Sequence, residues 1–154
     1  MTLFYGDTIA DAVVTLLNSS GGPCYGQKQA VRTHAIKANL EDTARIDEAD
    51  EEQPVVSVFV KGYQRTQSGR NSFQHTYRIG VCVQCYCTFT NTSRVAELTR
   101  FTETVVDRLT TNRVVATAAF MGVDHEPLFY AEMLDSANQF LSVPIITYRI
   151  ERSA

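Results

Sequence analysis

The chain has 154 residues, of which 44% are hydrophobic and 20% charged, and its formal net charge is −3. This composition is typical of one globular domain and argues against wholesale disorder. No apolar stretch approaches the roughly 18–20 residues that a membrane span needs. The first residues also lack the basic and apolar regions of a secretory signal. We therefore expect a single soluble domain, residues 1–154, that is made in a cytoplasm and has no membrane partner.

The first predicted element is a helix near the start of the chain. Asp7 or Thr8 is in position to cap it, and the serine, glycine and proline residues at 19–23 end it. Its apolar residues are spaced to share one face: Ile9, Val13, Leu16 and Leu17. The next residues, 27–40, are compatible with a helix or a strand, and their weak alternation favours a strand.

Residues 41–53 form a strongly acidic segment. Seven carboxylates against one base, Arg45, give it a charge of −6. Blocks of like charge repel and stay hydrated, so we expect a solvated loop. A surface that repels nucleic acid is the sharper alternative. The seven acidic residues are Glu41, Asp42, Asp47, Glu48, Asp50, Glu51 and Glu52.

A long antiparallel hairpin is predicted over residues 55–89. Val55–Val60 is β-branched and aromatic, as strands prefer, and a polar loop is predicted at Gln64–Ser72. A second strand then alternates from Phe73 to Phe89. Seventeen residues at ~3.3 Å each reach about 56 Å, whereas a domain of this size has a diameter of roughly 40 Å. The hairpin therefore projects from its domain or bends at Gly80, where we expect a bulge.

The hairpin also gathers positive charge. A solvated tip is one interpretation, and a contact with a partner is the other, because a projecting hairpin with a polar tip usually has a partner to lie against. The bases that would make this contact are Lys61, Arg65, Arg70 and Arg78.

A second helix is predicted at Ser93–Thr111. It carries one apolar stripe that should be buried: Val95, Leu98, Phe101, Val105 and Leu109. Residues 114–122 are predicted to form a short strand or a linker. Leu128–Ala131 is predicted to be a strand that leads into a turn. The last element, Phe140–Ile150, is predicted to be a strand in which Pro144 marks an edge or a bulge.

These elements together predict an α/β domain of the α+β type. Its sheet should be mixed, mostly antiparallel, with the long hairpin packed against the N-terminal helix and the amphipathic helix.

The cysteines do not form a recognisable metal or redox site. Cys82 and Cys85 have the spacing of metal knuckles, but in a strand they face opposite sides of the sheet. Redox motifs also need a helix N-terminus, which is missing there. We expect buried packing thiols and no metal or other cofactor. A disulfide between subunits through Cys82 is the remaining alternative.

The sequence also lacks the common catalytic motifs. His34, His75 and His125 are isolated from one another, and no glycine-rich phosphate loop or nucleophile elbow is present. The arginines are too dispersed for a nucleic-acid groove. These observations predict a protein that is not an enzyme.

The order of the predicted elements resembles that of the tail terminator (tail completion) proteins of long-tailed bacteriophages. The resemblance rests on Val55–Phe89, Ser93–Leu109 and Phe140–Ile150. It implies a homo-oligomeric, hexameric ring that caps the tail tube, stops its growth and presents a docking surface to the head–tail connector. DNA would pass through the ring without specific binding. The family offers no catalytic residues to carry over.

The resemblance also implies a location and a role for the charged segments. The protein would belong to the virion, at the head–tail junction. The hairpin bases would contact a neighbouring subunit or the tube protein, and the acidic segment would face solvent or the lumen. Two alternatives remain: another neck protein for head completion or the collar, and a small cytoplasmic enzyme or ligand-binding module of ferredoxin-like build.

Overall fold

The structure is a computed structural model that describes residues 4–36 and 53–153. The acidic segment, apart from Gln53, lies outside the described residues. None of the helices in these two ranges is long and apolar enough to cross a membrane. In chain order the elements are α1 Tyr5–Asn18, β1 Val31–Arg32, β2 Val55–Gln67, β3 Ser72–Tyr86, α2 Thr92–Thr111, β4 Val114–Val115, β5 Ala118–Asp124, α3 Ala131–Ala137, β6 Gln139–Ser142 and β7 Ile145–Ser153.

The strands form one curled, mixed sheet. Its order is β1-β2-β3-β7-β5-β4, and β6 pairs with β3 beyond the end of β7. The only parallel pair among the described strands is β1 with β2; the other pairs are antiparallel. Both long helices contribute buried residues to the core cluster that covers one face of the sheet. The predicted α+β fold with a mostly antiparallel sheet is therefore confirmed.

Helix α1 packs as predicted but begins earlier. Ile9, Val13 and Leu17 have no exposed surface. The helix starts at Tyr5, however, and its N-cap is Phe4, whose side chain makes no capping hydrogen bond. The predicted caps were therefore wrong. Asp7 lies instead in the first turn, where Arg32 binds it at 2.6 Å and so joins the helix to β1. Of the strand predicted over residues 27–40, only Val31–Arg32 is a strand within residues 27–36, and residues 37–40 lie outside the described range.

The inner half of the hairpin, Val55–Val60 paired with Ile79–Gln84, lies in the centre of the domain. Strand β3 is buried on both faces from Gly80 to Cys85. Its other edge is filled by β6, which pairs with Val83–Tyr86, and by β7, which pairs with Ser72–Gly80. The alternation of apolar and polar residues in β3 therefore ends at Gly80, because both faces of the strand are buried beyond it.

The predicted bulge was assigned to the wrong strand. The register shifts in β2, between Val60 and Gly62, so Lys61 is the extra residue. Gly80 is in regular register opposite Phe59, and a Cβ atom there would lie 2.5 Å from the ring atom Cζ of Phe59. Glycine is needed at position 80 because an aromatic ring occupies the space of a side chain, not because the strand bends there.

The predicted polar loop was also too long. Strand β2 continues to Gln67, which pairs with Phe73, so only residues 68–71 connect the two strands. Polar residues that face solvent had indicated a loop, but they remain in the ladder because their backbone groups pair with β3. We call Lys61–Gln67 with Ser72–Arg78 the outer half of the hairpin.

Helix α2 is close to its predicted position. It begins at Thr92, and the side chain of Asn91 accepts a hydrogen bond from the Arg94 backbone N–H at 3.1 Å. Three residues of the predicted stripe are fully buried: Leu98, Val105 and Leu109. Val95 and Phe101 are only partly buried against the core. A charge at Phe101 should therefore destabilise the fold less than one at Leu98.

The last third of the chain differs most from its prediction. Residues 128–130 form no strand, and Ala131–Ala137 is a helix that ends where Asn138 adopts a left-handed conformation (φ 51°). Alanine, glutamate, methionine and leucine are strong helix formers, and asparagine tolerates this conformation. Pro144 divides the predicted terminal strand into β6 and β7, and its carbonyl accepts a hydrogen bond from Val81 N–H at 3.0 Å.

Candidate interaction surface at the outer half of the hairpin

The bulge at Lys61 determines which side chains share a face of the outer half. N-terminal to the bulge, the even-numbered residues of β2 face the helices, because Val58 and its partner Val81 both belong to the core cluster. After it, the odd residues take that face, because Tyr63 is paired with the buried core residue Tyr77. One extra residue exchanges the two sets of side chains.

An aromatic cluster covers the helix-side face. The ring of Tyr63 lies 5.0 Å from that of Tyr77 and 6.0 Å from that of Phe4, between ring centroids. Tyr77 is buried, whereas Tyr63 is 45% exposed and Phe4 is 46% exposed. Phe4 and Tyr63 therefore form an exposed aromatic patch, which makes this face a candidate contact surface. We call Phe4, Tyr63, His75 and Tyr77 the aromatic cluster.

His75, a member of this cluster, lies close to two arginines. Its Nδ1 is 2.7 Å from the hydroxyl of Tyr63, and the two rings are stacked. Desolvation, followed by the positive charges of Arg152 and Arg65, lowers the pKa of His75. The imidazole is therefore neutral near pH 7 and can share one proton with Tyr63.

Arginine side chains border the same face. The guanidinium of Arg65 lies 4.9 Å above the ring of Phe73, and that of Arg152 lies 5.2 Å above the ring of Tyr5. The guanidinium groups remain charged, and stacking on the rings fixes their positions. The face thus combines exposed aromatic surface with positive charge.

The opposite face of the outer half is polar. An open cavity of about 400 Å³ lies there, lined by Gly62, Tyr63, Gln64, Thr76 and Arg78. The guanidinium of Arg78 lies over Gly62, where a Cβ atom would be 3.0 Å from its Nε. Arg149, opposite Thr76, has a buried Nε for which the structure records no hydrogen-bond partner.

The structure separates the bases that the sequence grouped together. Lys61, Arg65, Arg70 and Arg78 are all exposed. Arg65 is opposite His75 on the aromatic face, whereas Arg78 is opposite Gly62 on the polar face. Lys61 is the bulged residue, and Arg70 lies in the connecting loop. In the described ranges none of the four makes a salt bridge.

The aromatic residues of the surface were missed by the sequence analysis. Tyr63 and Phe4 were not singled out, although Tyr63 follows a strand and opposes Tyr77 once the hairpin register is known. Phe4 has no such signal, because its position depends on how α1 packs on the sheet.

The four cysteines are free and buried. Burial raises the pKa of Cys82 to about 12, so its thiolate is not formed at neutral pH. Cys85 belongs to the core on the other face, where the Arg94 guanidinium donates to its sulfur at 3.5 Å. A disulfide from Cys82 to another subunit would therefore require local opening of the sheet. No cluster of three or more metal-ligand side chains is found within residues 4–36 and 53–153.

Among the described residues, His125 is the one histidine with a hydrogen bond to a serine side chain. Its Nε2 lies 2.9 Å from the hydroxyl of Ser142, which resembles a nucleophile with its base. The Ser142 hydroxyl donates to the carbonyl of Leu128, however, so it must accept from the histidine N–H. A base that is donating to the serine cannot take its proton, and Ser142 has no exposed surface. The pair holds the segment 125–128 against β6.

No protein-family model matches this chain, and a search of curated proteins found no match to it.

Proposed function

We propose that the chain is a structural subunit of a phage tail, which assembles as a ring, most simply a hexamer, and caps the tail tube. The capped tube would stop growing and would present the ring to the head–tail connector, with DNA passing through its centre. The support is the element order that suggested this family: a short helix, a long hairpin, an amphipathic helix and a terminal strand.

The observation that carries the proposal is the outer half of the hairpin. No helix within residues 4–36 and 53–153 covers its distal end, and Tyr63–Gln67 is exposed along its whole length. It is nevertheless a rigid part of the sheet, because β3 pairs with it on one side and β7 supports β3 as far as Ser72. A stiff arm with exposed aromatic residues and unpaired arginines suits contacts between subunits or with a tube.

A shortened hairpin tests the proposal. Residues Gln67–Phe73 are removed, and Thr66 is joined to Gln74 through an Asn-Gly turn, which suits a two-residue hairpin connection. Deleting residues 65–71 instead would shorten β2 but not β3 and leave Phe73–His75 without partners in β2. We expect a folded protein that no longer caps tubes, and the lengths of tubes assembled with it, measured by electron microscopy, should become long and variable.

The matched control is Asp107→Ala, which changes an exposed residue of α2 far along the chain from the hairpin. This variant should cap tubes like the unaltered protein. Normal capping by the shortened hairpin would contradict a role for its tip. Tubes of normal length that fail to join heads, in phage lacking this protein, would indicate a head-completion or collar protein instead.

A further inference from the structure

The strands that the structure describes leave two edges of the sheet open. Among the described residues, β1 pairs only with Ser57 and Val58, so the edge of β2 is open from Lys61 to Gln67. At the other side, β4 pairs with Ala118 and Ala119 only, which leaves the edge of β5 open from Met121 to Asp124. Open edges carry unpaired N–H and C=O groups that can accept a further strand.

The two edges run in opposite directions. Strand β2 is antiparallel to β3, β3 to β7, and β7 to β5. If a second copy is placed beside the first without being turned over, its β5 therefore approaches the first copy's β2 in antiparallel orientation. The same relation then repeats at every junction, as a head-to-tail ring requires.

The surfaces beside the two edges are complementary in charge. The β2 edge carries the exposed bases Lys61 and Arg65, and the β5 edge leads into the exposed acids Asp124 and Glu126. None of these four residues forms a salt bridge with another described residue. Pairing either edge with its own copy would bring like charges together, whereas pairing one edge with the other brings opposite charges together.

Both edges also expose apolar side chains. Met121 is 46% exposed and Val123 is 41% exposed at the β5 edge, and Tyr63 projects at the β2 edge. Bulges commonly protect edge strands, and one lies at Lys61 and another at Met121. The bulge in β2 lies at the inner limit of its open edge, however, and Gly62–Gln67 beyond it keeps regular register with β3.

We infer that neighbouring copies of this chain join by pairing the β2 edge, Lys61–Gln67, of one copy with the β5 edge, Met121–Asp124, of the next. The occupant of each edge is thus a second copy of the same chain. This inference rests on the proposed ring, and it specifies which surfaces close it.

Cross-linking through introduced cysteines tests the pairing. One variant carries Gln64→Cys on the β2 edge, a second carries Met121→Cys on the β5 edge, and a third carries both. The four native thiols are buried, so a short bis-maleimide should react with the introduced thiols alone. The reaction is run on the full chain, alone and with tube protein, and the products are separated on denaturing gels.

A head-to-tail contact predicts a distinctive pattern. The two single variants should give a cross-linked dimer when mixed and nothing larger, whereas the double variant should give a ladder that stops at the size of the ring. A control that pairs Gln64→Cys with Asp107→Cys, on α2, should give no specific dimer. Charge reversal by Lys61→Glu with Arg65→Glu should abolish the dimer, and Asp124→Lys with Glu126→Lys in the other chain should restore it.

The outcomes separate this inference from the proposed function. If the edges do not cross-link in either mixture, but the unaltered protein caps tubes, the edge pairing is wrong and the proposed function stands. If the edges cross-link as expected, but the unaltered protein never limits tube length, the pairing stands and the proposed function fails.

Discussion

The two halves of the hairpin share one ladder of backbone hydrogen bonds but differ in every other respect. The inner half is buried by helices, β6 and the neighbouring strands, and even its polar residues Ser57 and Gln84 are nearly inaccessible. The outer half has a ladder and an aromatic cluster, but its distal residues Gln64–Gln67 are exposed. Backbone pairing alone can therefore extend a strand, while burial decides how much each side chain matters to stability.

The largest expected difference between the halves comes from placing a charge in each. Val81→Asp puts an unpaired carboxylate into the core and should cost about 4 kcal/mol or more, or prevent folding. Thr66→Asp makes the same kind of change on an exposed strand residue and should alter stability by no more than about 0.5 kcal/mol. Urea unfolding of both variants measures their free energies of unfolding. Equal losses would show that the outer half is also packed.

A smaller effect is expected where the inner half is tightest. Gly80→Ala places a methyl group against the ring of Phe59, so either the ring or the strand must move. We expect a loss of about 1–3 kcal/mol from such overpacking. Gly122→Ala is the matched control, because no atom lies within 4 Å of a Cβ atom there. Thermal unfolding compares the stabilities of the two variants. A Gly80→Ala protein of unchanged stability would contradict the close approach of the Phe59 ring to Gly80.

The smallest effect concerns the outer half and depends on pH. The pKa of His75 is lowered in the folded chain, so the unfolded chain binds a proton more readily. Stability should therefore decrease as the pH falls below the ordinary histidine value of about 6.5. The groups that face His75 are Tyr63, Arg65 and Arg152. His75→Gln should remove part of this dependence, and urea midpoints at neutral and mildly acidic pH measure it. A steeper dependence in the variant would exclude the assignment.

The sequence predicted the inner half better than the outer half for a physical reason. Buried faces require apolar residues at regular spacing. This pattern is present in Val55–Val60 and in the apolar stripe of α2. The outer half of β2 has exposed polar residues on both faces, so Gln64–Gln67 resembled a loop. Only the strand opposite, which alternates down to Phe73, indicated that β2 must be equally long.

The candidate site was predicted in part. The bases of the hairpin are exposed, as expected, but their division between two faces depends on the single extra residue at Lys61. A bulge cannot be recognised from composition. Beyond Val60 the alternation of apolar and polar residues in β2 is also too weak to show that the side chains exchange faces. Phe4 joins the surface only through tertiary packing. The assignments for the acidic segment lie outside the described residues.

The position of β7 has a consequence for the order of folding during synthesis. Strand β7 lies between β3 and β5, yet it follows both of them in the chain. A ribosome therefore finishes β3 and β5 before it makes the strand that joins them, and until then each has an unpaired edge. Contacts between residues so distant in sequence form slowly. A chain that is interrupted before Ile145 should expose both edges and self-associate, so its release would yield aggregates instead of a smaller folded domain.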